Sequence, residues 1–346
     1  MSRKNETTIL ILSFLITTAL IGVGFWWLVN KDSMKFPPVV DNSRKDTSAA
    51  IDGDTKFTSV KSVPKGRFNY GGSTTWAPIR KDVDFIIQQE LPQFKIIYTD
   101  PITGSPGSST GIRMLLKSQI AFSQSSRPLR DEEYQKAKLR GFSLEEIPVA
   151  IDGIAIAVNP RLNIPGLTLT QIKDIYTGKI SNWKELGGPD IKIKPYSRRL
   201  SEGGTVEFFF ENILNKENFN DNVEFISTTT QAIRVVNKNI GGIYYGSAPE
   251  IVGQCGIKTL PVGKKSNDLI PPYQKPLVLP SQCPQQRNQI NIDAFSNGRY
   301  PITRKLFVII KKNGRAEEKA GKAYANLLLS TQGQKLIAET GFVKIR

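Results

Sequence analysis

The chain has 346 residues, 39% of them hydrophobic and 23% charged, and its 47 Lys and Arg outweigh 31 Asp and Glu to give a formal net charge of +16. This length and apolar content exclude a disordered chain and suffice for a sizeable core divided between two domains. The positive balance favours anionic partners, but the lysines are scattered from Lys61 to Lys311 without the dense tract or motif of a nucleic-acid binder, so nucleic acid is not an expected partner.

In chain order, residues 1–8 carry Arg3 and Lys4 and lead into residues 9–29, ILILSFLITTALIGVGFWWLV. This uncharged apolar run is long enough to cross a bilayer as a helix, and Trp26 and Trp27 fall where aromatic rings favour the interface. It exceeds a usual signal core, and no clear small-x-small cleavage site follows. The expectation is an uncleaved transmembrane anchor, with residues 1–8 cytoplasmic and the rest extracytoplasmic on the periplasmic side; a cleaved signal peptide is the alternative. Residues 30–67 are polar with no sustained period and read as a flexible tether.

Beyond the tether, β-rich runs (FKIIYT, QIAFSQ, IAIAVN, IKIKPY, IGGIYYG, KLFVIIKK) alternate with helical patterns (LTLTQIKDIY, TVEFFFENIL, AEEKAGKAYANLLLS). Alternation on this scale predicts an α/β fold. Three Ser/Thr/Gly turns lead into helical patterns: Gly71 to Pro78 before RKDVDFIIQQE, Gly104 to Gly111 before IRMLLKSQIAF, and SRRLSEGGT before VEFFFENIL. The first N–H groups of a helix lack intrahelical acceptors and carry partial positive charge. Each turn alone is an ordinary helix cap, whereas three in one chain suit a site where helix ends and hydroxyls converge on an oxyanion. Arg199, a few residues before Thr205, can add a fork of charged donors.

Catalysis finds little support. The chain has no His, the commonest general base, and its two cysteines are too few for a structural zinc site. There is no Walker A sequence. The expectation is a binding protein without metal or cofactor. Cys255 and Cys283, placed outside the cytoplasm by the anchor, are expected to form a disulfide.

Taken in order, GGSTTWAP, GSSTGIR, FSQSSRPL, IPVAIDGIAIAVNP, LTLTQIKDIYTGKISNWKELGG, SRRLSEGGT, GGIYYGS, YPITRKLFVIIKK and LLLSTQGQKLIAETGFVKI resemble the phosphate-binding proteins of ABC importers, from about Phe68 to the C-terminus. The resemblance implies a two-lobed periplasmic-binding-protein-like fold of type II. Two crossover strands would join lobe 1 (residues 68–150 and 300–346) to lobe 2 (residues 151–299), with the ligand in the cleft. It implies inorganic phosphate as ligand and an ABC permease as partner. Its site residues carry over to Thr74 and Thr75 after the first strand, Ser108 in the second turn, and Arg199, Gly204 and Thr205. Gly203 stands where the family usually has serine and keeps only its backbone N–H. Ser126 stands where the best-known members have aspartate and others serine.

That last departure matters chemically. A carboxylate accepts the proton of hydrogen phosphate and repels sulfate, whereas a serine accepts without repelling. Discrimination between the two anions is therefore expected to be weaker here. A receptor or sensor for another tetrahedral oxyanion such as sulfate is one alternative, and a membrane-tethered phosphate-ester hydrolase another. Without the resemblance, Ser126 reads equally as a cap for the helix in DEEYQKAKLR, and Arg127 reads as a surface residue.

Overall fold

The structure, a computed structural model, describes residues 55–345. The expected anchor at residues 9–29 lies outside them; among the described residues, no helix is long and apolar enough to cross a membrane. Residues 55–67 of the expected tether fall among the described residues, and most of them are exposed. Phe57 is fully buried, and its backbone N–H donates to Gln332 Oε1 at 2.7 Å. The earlier polar stretch hid this because a single aromatic makes no periodic signal.

The first half of the chain runs β1 (Gly66–Gly72), α1 (Ala77–Glu90), β2 (Phe94–Tyr98), α2 (Ser108–Leu116), β3 (Phe122–Ser125), α3 (Asp131–Lys138) and the sixteen-residue β4 (Ser143–Val158). There follow β5 (Leu167–Thr168), α4 (Leu169–Tyr176), β6 (Lys194–Ser197), α5 (Gly204–Asn212), β7 (Glu224–Phe225), α6 (Thr229–Lys238), β8 (Gly242–Ser247), α7 (Ala248–Ile251), β9 (Lys258–Leu260), β10 (Val262–Gly263) and α8 (Ile292–Ser296). The chain closes with β11 (Thr303–Lys312), α9 (Ala316–Leu329) and α10 (Thr331–Glu339).

The fold is a two-lobed α/β architecture threaded on one continuous strand order, β2-β1-β3-β11-β4-β8-β6-β7, with β9 also pairing β4. β1 pairs both β2 and β3 in parallel, and all four residues of β3 are buried. β4 serves both lobes. Its Ser143–Gly153 stretch lies antiparallel to β11, while Ile154–Val158 pairs with β8. β11 returns between β3 and β4, so β4 and β11 carry the chain across.

Apolar packing follows the same division. Trp76, Ile79, Phe94, Phe122, Val308 and Tyr324 centre one core, and Trp183, Tyr176, Phe209, Tyr245 and Ile243 centre another around β8. Cys255 and Cys283 form a disulfide, with Cα atoms 5.7 Å apart, in the second of these regions.

The parallel register fixes where the lobe 1 loops meet. Gly72 is opposite Gln124, so the chain leaving β1 at Ser73 emerges beside the chain leaving β3 at Ser126. Gly72 is required here, since a Cβ would lie 2.1 Å from the Gln124 carbonyl oxygen and its φ is +127°. Ligand crevices of open α/β sheets form at such carboxyl ends of strands.

Candidate functional site

The lobe 1 wall is a hydroxyl cluster. Leaving β1, the chain turns through Thr74–Trp76 into α1, and Ser73 Oγ accepts the Thr75 N–H at 3.3 Å. The same hydroxyl donates to Ser126 Oγ at 3.0 Å. Ser108 opens α2; its Oγ accepts the Ser126 N–H at 3.0 Å and lies 3.2 Å from Ser126 Oγ. Ser73, Ser108 and Ser126 are fully buried. Ser126 caps no helix, since α3 begins after Arg130; the cluster is its structural context.

A second tier holds this wall in place. Arg80 donates to the Ser73 carbonyl at 2.9 Å and to Gln124 Oε1 at 2.8 Å, and stacks 4.1 Å over the Tyr98 ring. Gln124 donates to Tyr324 Oη at 2.8 Å, and Tyr324 donates to Asp84 Oδ1 at 2.8 Å. Tyr70 donates to the other oxygen of Asp84. Burial pushes the Asp84 carboxyl up to about 6, against the opposing pull of those hydroxyls and of Arg80.

The lobe 2 wall is the start of α5. Gly203 caps it and Gly204 is its first residue. A Cβ on Gly203 would lie 3.3 Å from Thr74 Oγ1 and 3.4 Å from Arg198 Nη1, and Thr205 Oγ1 is 3.3 Å from Thr75 Oγ1. A Cβ on Gly107, which caps α2, would lie 3.3 Å from Gly203 Cα, so the N-termini of α2 and α5 face one another, with donors from both lobes between them.

A buried ion pair sits at the crossing strands. Arg304 on β11 stands directly opposite Asp152 on β4, and its Nε and Nη2 donate to Asp152 Oδ2 at 3.0 and 2.8 Å. Ser247 donates to Asp152 Oδ1 at 2.7 Å. Burial pushes the Asp152 carboxyl upward, and Arg304, Ser247 and the Gly153 N–H oppose that push. Arg304 also reaches the site, donating to Thr75 Oγ1, Thr205 Oγ1 and the Gly204 carbonyl at 2.9, 2.8 and 2.9 Å.

Outside the hydroxyl cluster, an ionic bridge joins the lobes. Arg127, expected at the surface, is only 2% exposed. It donates to both oxygens of Glu133 in its own lobe and, through Nε, to Glu207 Oε2 of α5 at 3.0 Å. Ser109 donates to the same Glu207 oxygen at 2.8 Å. The two carboxylates hold the Arg127 guanidinium above its ordinary pKa despite burial. A basic residue following a buried strand gives no local sign of these distant partners.

The sequence-expected residues Thr75, Ser108, Ser126, Gly204 and Thr205 come together, and Thr74 joins them beside Gly203. Arg199 does not join them. It is exposed, with its guanidinium 5.2 Å over the Phe225 ring, while the neighbouring Arg198 reaches Gly203. Consecutive residues leaving a strand project to opposite sides. Sequence reasoning missed Ser73, Arg198, Glu207, Asp152 and Arg304. For Asp152 a signal existed: an isolated charge inside the apolar run IPVAIDGIAIAV must be paired if buried.

The profile described as PBP superfamily domain matches residues 59–332. A protein named phosphate-binding protein PstS from Staphylococcus epidermidis is 28% identical over 274 residues, covering 78% of this chain and 76% of that protein. The protein of that name from Staphylococcus aureus strain USA300 is 27% identical over 283 residues, covering 81% and 78% respectively. Among solved structures, a putative phosphate ABC transporter substrate-binding protein with bound phosphate from Clostridium perfringens superposes with a TM-score of 0.64 at 25% identity, over 81% of this chain and all of that one. An ABC-type phosphate transport receptor from Vibrio cholerae shares the fold, with a TM-score of 0.61 at 23% identity over 80% of this chain and 99% of that one.

Proposed function

This chain belongs to the PBP superfamily, and on that premise we propose that it is an extracytoplasmic phosphate-binding protein that hands inorganic phosphate to an ABC permease without reacting with it. The observation that carries this reading is the meeting of the α2 and α5 N-termini, from different lobes, around the hydroxyls of Ser73, Thr75, Ser108, Ser126 and Thr205. The phosphate-related names of the relatives support the choice of anion.

Burying a dianion is costly unless every oxygen is hydrogen-bonded. Helix ends contribute about 0.3–1 kcal/mol each, and a charged donor such as Arg198 about 1.5–3 kcal/mol. Compensation spread over dipoles and neutral donors permits release when the lobes part. Calorimetric titration of the detergent-solubilised chain with phosphate, arsenate and sulfate tests the reading. Absence of phosphate binding would end it.

A second reading, a receptor for sulfate, draws on Ser126, a hydroxyl where a carboxylate would exclude an anion with no proton to give. The Ser126→Asp substitution should then increase discrimination against sulfate. Sulfate that fails to compete with phosphate in the unaltered protein removes this second reading.

We also propose residues 9–29 as an uncleaved anchor that keeps the lobes on the outer side of the membrane. Mass spectrometry of the membrane fraction, with protease added to spheroplasts, checks both parts. A mature N-terminus near residues 30–36 would show a cleaved signal instead.

A further inference from the structure

Arg304 is 5% exposed, and its N–H groups are directed at protein oxygens: Asp152, the Gly204 carbonyl, and the hydroxyls of Thr75 and Thr205. A guanidinium only donates, and Nη2 has two hydrogens for three acceptors, so with one directed at Asp152 the two threonine oxygens share the other as acceptors. Those oxygens lie 3.3 Å apart and belong to different lobes. Left to themselves, one hydroxyl would donate to the other and spend its proton there. Occupied from the Arg304 side, both oxygens have less need of each other, and both protons can be offered to a third group.

Charge is settled at the same place. Asp152 takes two of the Arg304 bonds and is itself only 1% exposed, with Ser247 on its second oxygen. The pair is closed electrically, so Arg304 contributes direction to its neighbours' hydroxyls without adding net charge. Its position on a crossover strand lets one side chain serve a threonine from each lobe.

We propose that Arg304 is a positioning residue that fixes Thr75 and Thr205 as paired donors to a bound oxyanion, with Asp152 holding its guanidinium in place. This rests on reading the site as an oxyanion receptor. It predicts that the effect of Arg304 on affinity passes through the two threonine hydroxyls.

The test is a mutant cycle on the full chain, read by calorimetric titration with inorganic phosphate. Arg304→Gln combined with Asp152→Asn removes both charges without leaving a buried carboxylate alone. In the otherwise unaltered protein this pair of changes should weaken phosphate binding by about tenfold or more. In a Thr75→Val, Thr205→Val background it should change affinity by less than about twofold, because no hydroxyl remains to be oriented. Equal losses in both backgrounds overturn the proposal, since a structural role or direct ligand contact would act without the threonines. If the neutral pair fails to fold, Arg304→Lys gives the same comparison: a loss confined to the threonine-containing protein supports the role, and an equal loss in both overturns it. An unaltered protein that binds no phosphate overturns the receptor reading itself, whereas normal binding with additive losses overturns only the part assigned to Arg304.

Discussion

Gly204 and Ser126 come so close across the cleft that a Cβ on the glycine would lie 2.2 Å from the serine Oγ, and 2.6 Å from Ser108 Oγ. The glycine opens a helix in lobe 2, and the two serines belong to lobe 1. The contact therefore exists only with the lobes together. Its φ is not positive, so alanine brings no backbone strain, and the clash is with side chains of the opposite lobe.

The Gly204→Ala substitution is therefore expected to weaken phosphate binding by at least about tenfold, or 1.4 kcal/mol, by obstructing closure. Titration calorimetry reads this directly. Affinity equal to that of the unaltered protein would mean that the lobes do not meet here in the bound state.

Glu207 gives a second handle on closure. It joins Arg127 and Ser109 of the opposite lobe, while Arg127 keeps its own-lobe partner Glu133. Glu207→Gln removes the carboxylate charge from this ion pair and leaves Arg127 donating to a neutral amide oxygen, a weaker acceptor. The fold of each lobe keeps its own contacts. Phosphate should dissociate several-fold faster, with the melting temperature little changed. Stopped-flow dissociation rates that match the unaltered protein would show that the bridge does not hold the closed form.

The elements that position the site are legible wherever their pattern is local. RKDVDFIIQQE falls within α1, KLFVIIKK within β11, and the turns at Ser73, Ser108 and Gly204 each precede a helix because glycine, hydroxyl and proline signals act over a few residues. Pairing between distant strands is not local. Asp152 and Arg304 are partners only because β4 and β11 lie antiparallel in one register, and nothing within either run specifies that register. Arg127 illustrates the converse failure. Its polarity suggested solvent, but carboxylates from α3 and α5 meet it in the interior.

Asp84 ties the stability of lobe 1 to pH. Its folded value of about 6 stands above the ordinary 3.8, because burial outweighs the hydrogen bonds from Tyr70 and Tyr324 and the nearby charge of Arg80. The folded protein keeps this proton at pH values where the unfolded chain has lost it. The group's favourable contribution is thus complete below about pH 4 and is lost as pH rises through about 6, a change of about 3 kcal/mol. Asp84→Asn should remove that component, so the difference in melting temperature between the variant and the unaltered protein should shift in the variant's favour from about pH 4 to pH 7. A constant difference across this range would show that Asp84 does not titrate there. The same carboxylate anchors the chain of Tyr324, Gln124 and Arg80 that ends on the Ser73 carbonyl, so phosphate affinity in the variant reports whether this scaffold sets the binding turn.

The two arginines after β6 separate the resemblance from the geometry. Matching SRRLSEGGT to the family signature selects Arg199, whereas the structure turns Arg199 outward over Phe225 and brings Arg198 to the Gly203 end of α5. The charge of Arg198 also opposes the upward push that burial gives Tyr244, Tyr245 and Glu250. A charged donor at that helix end strengthens the field its N–H groups already supply. Arg198→Ala should therefore weaken phosphate binding by about 1.5–3 kcal/mol, roughly tenfold to a hundredfold. Arg199→Ala should cost less, because an exposed cation stacked on an aromatic ring contributes about 0.5–1 kcal/mol and does so away from the ligand. The measurement is a pair of phosphate titrations at fixed ionic strength. A larger loss in the Arg199 variant would restore the residue chosen by the family signature and would mean that the two side chains exchange places when phosphate binds.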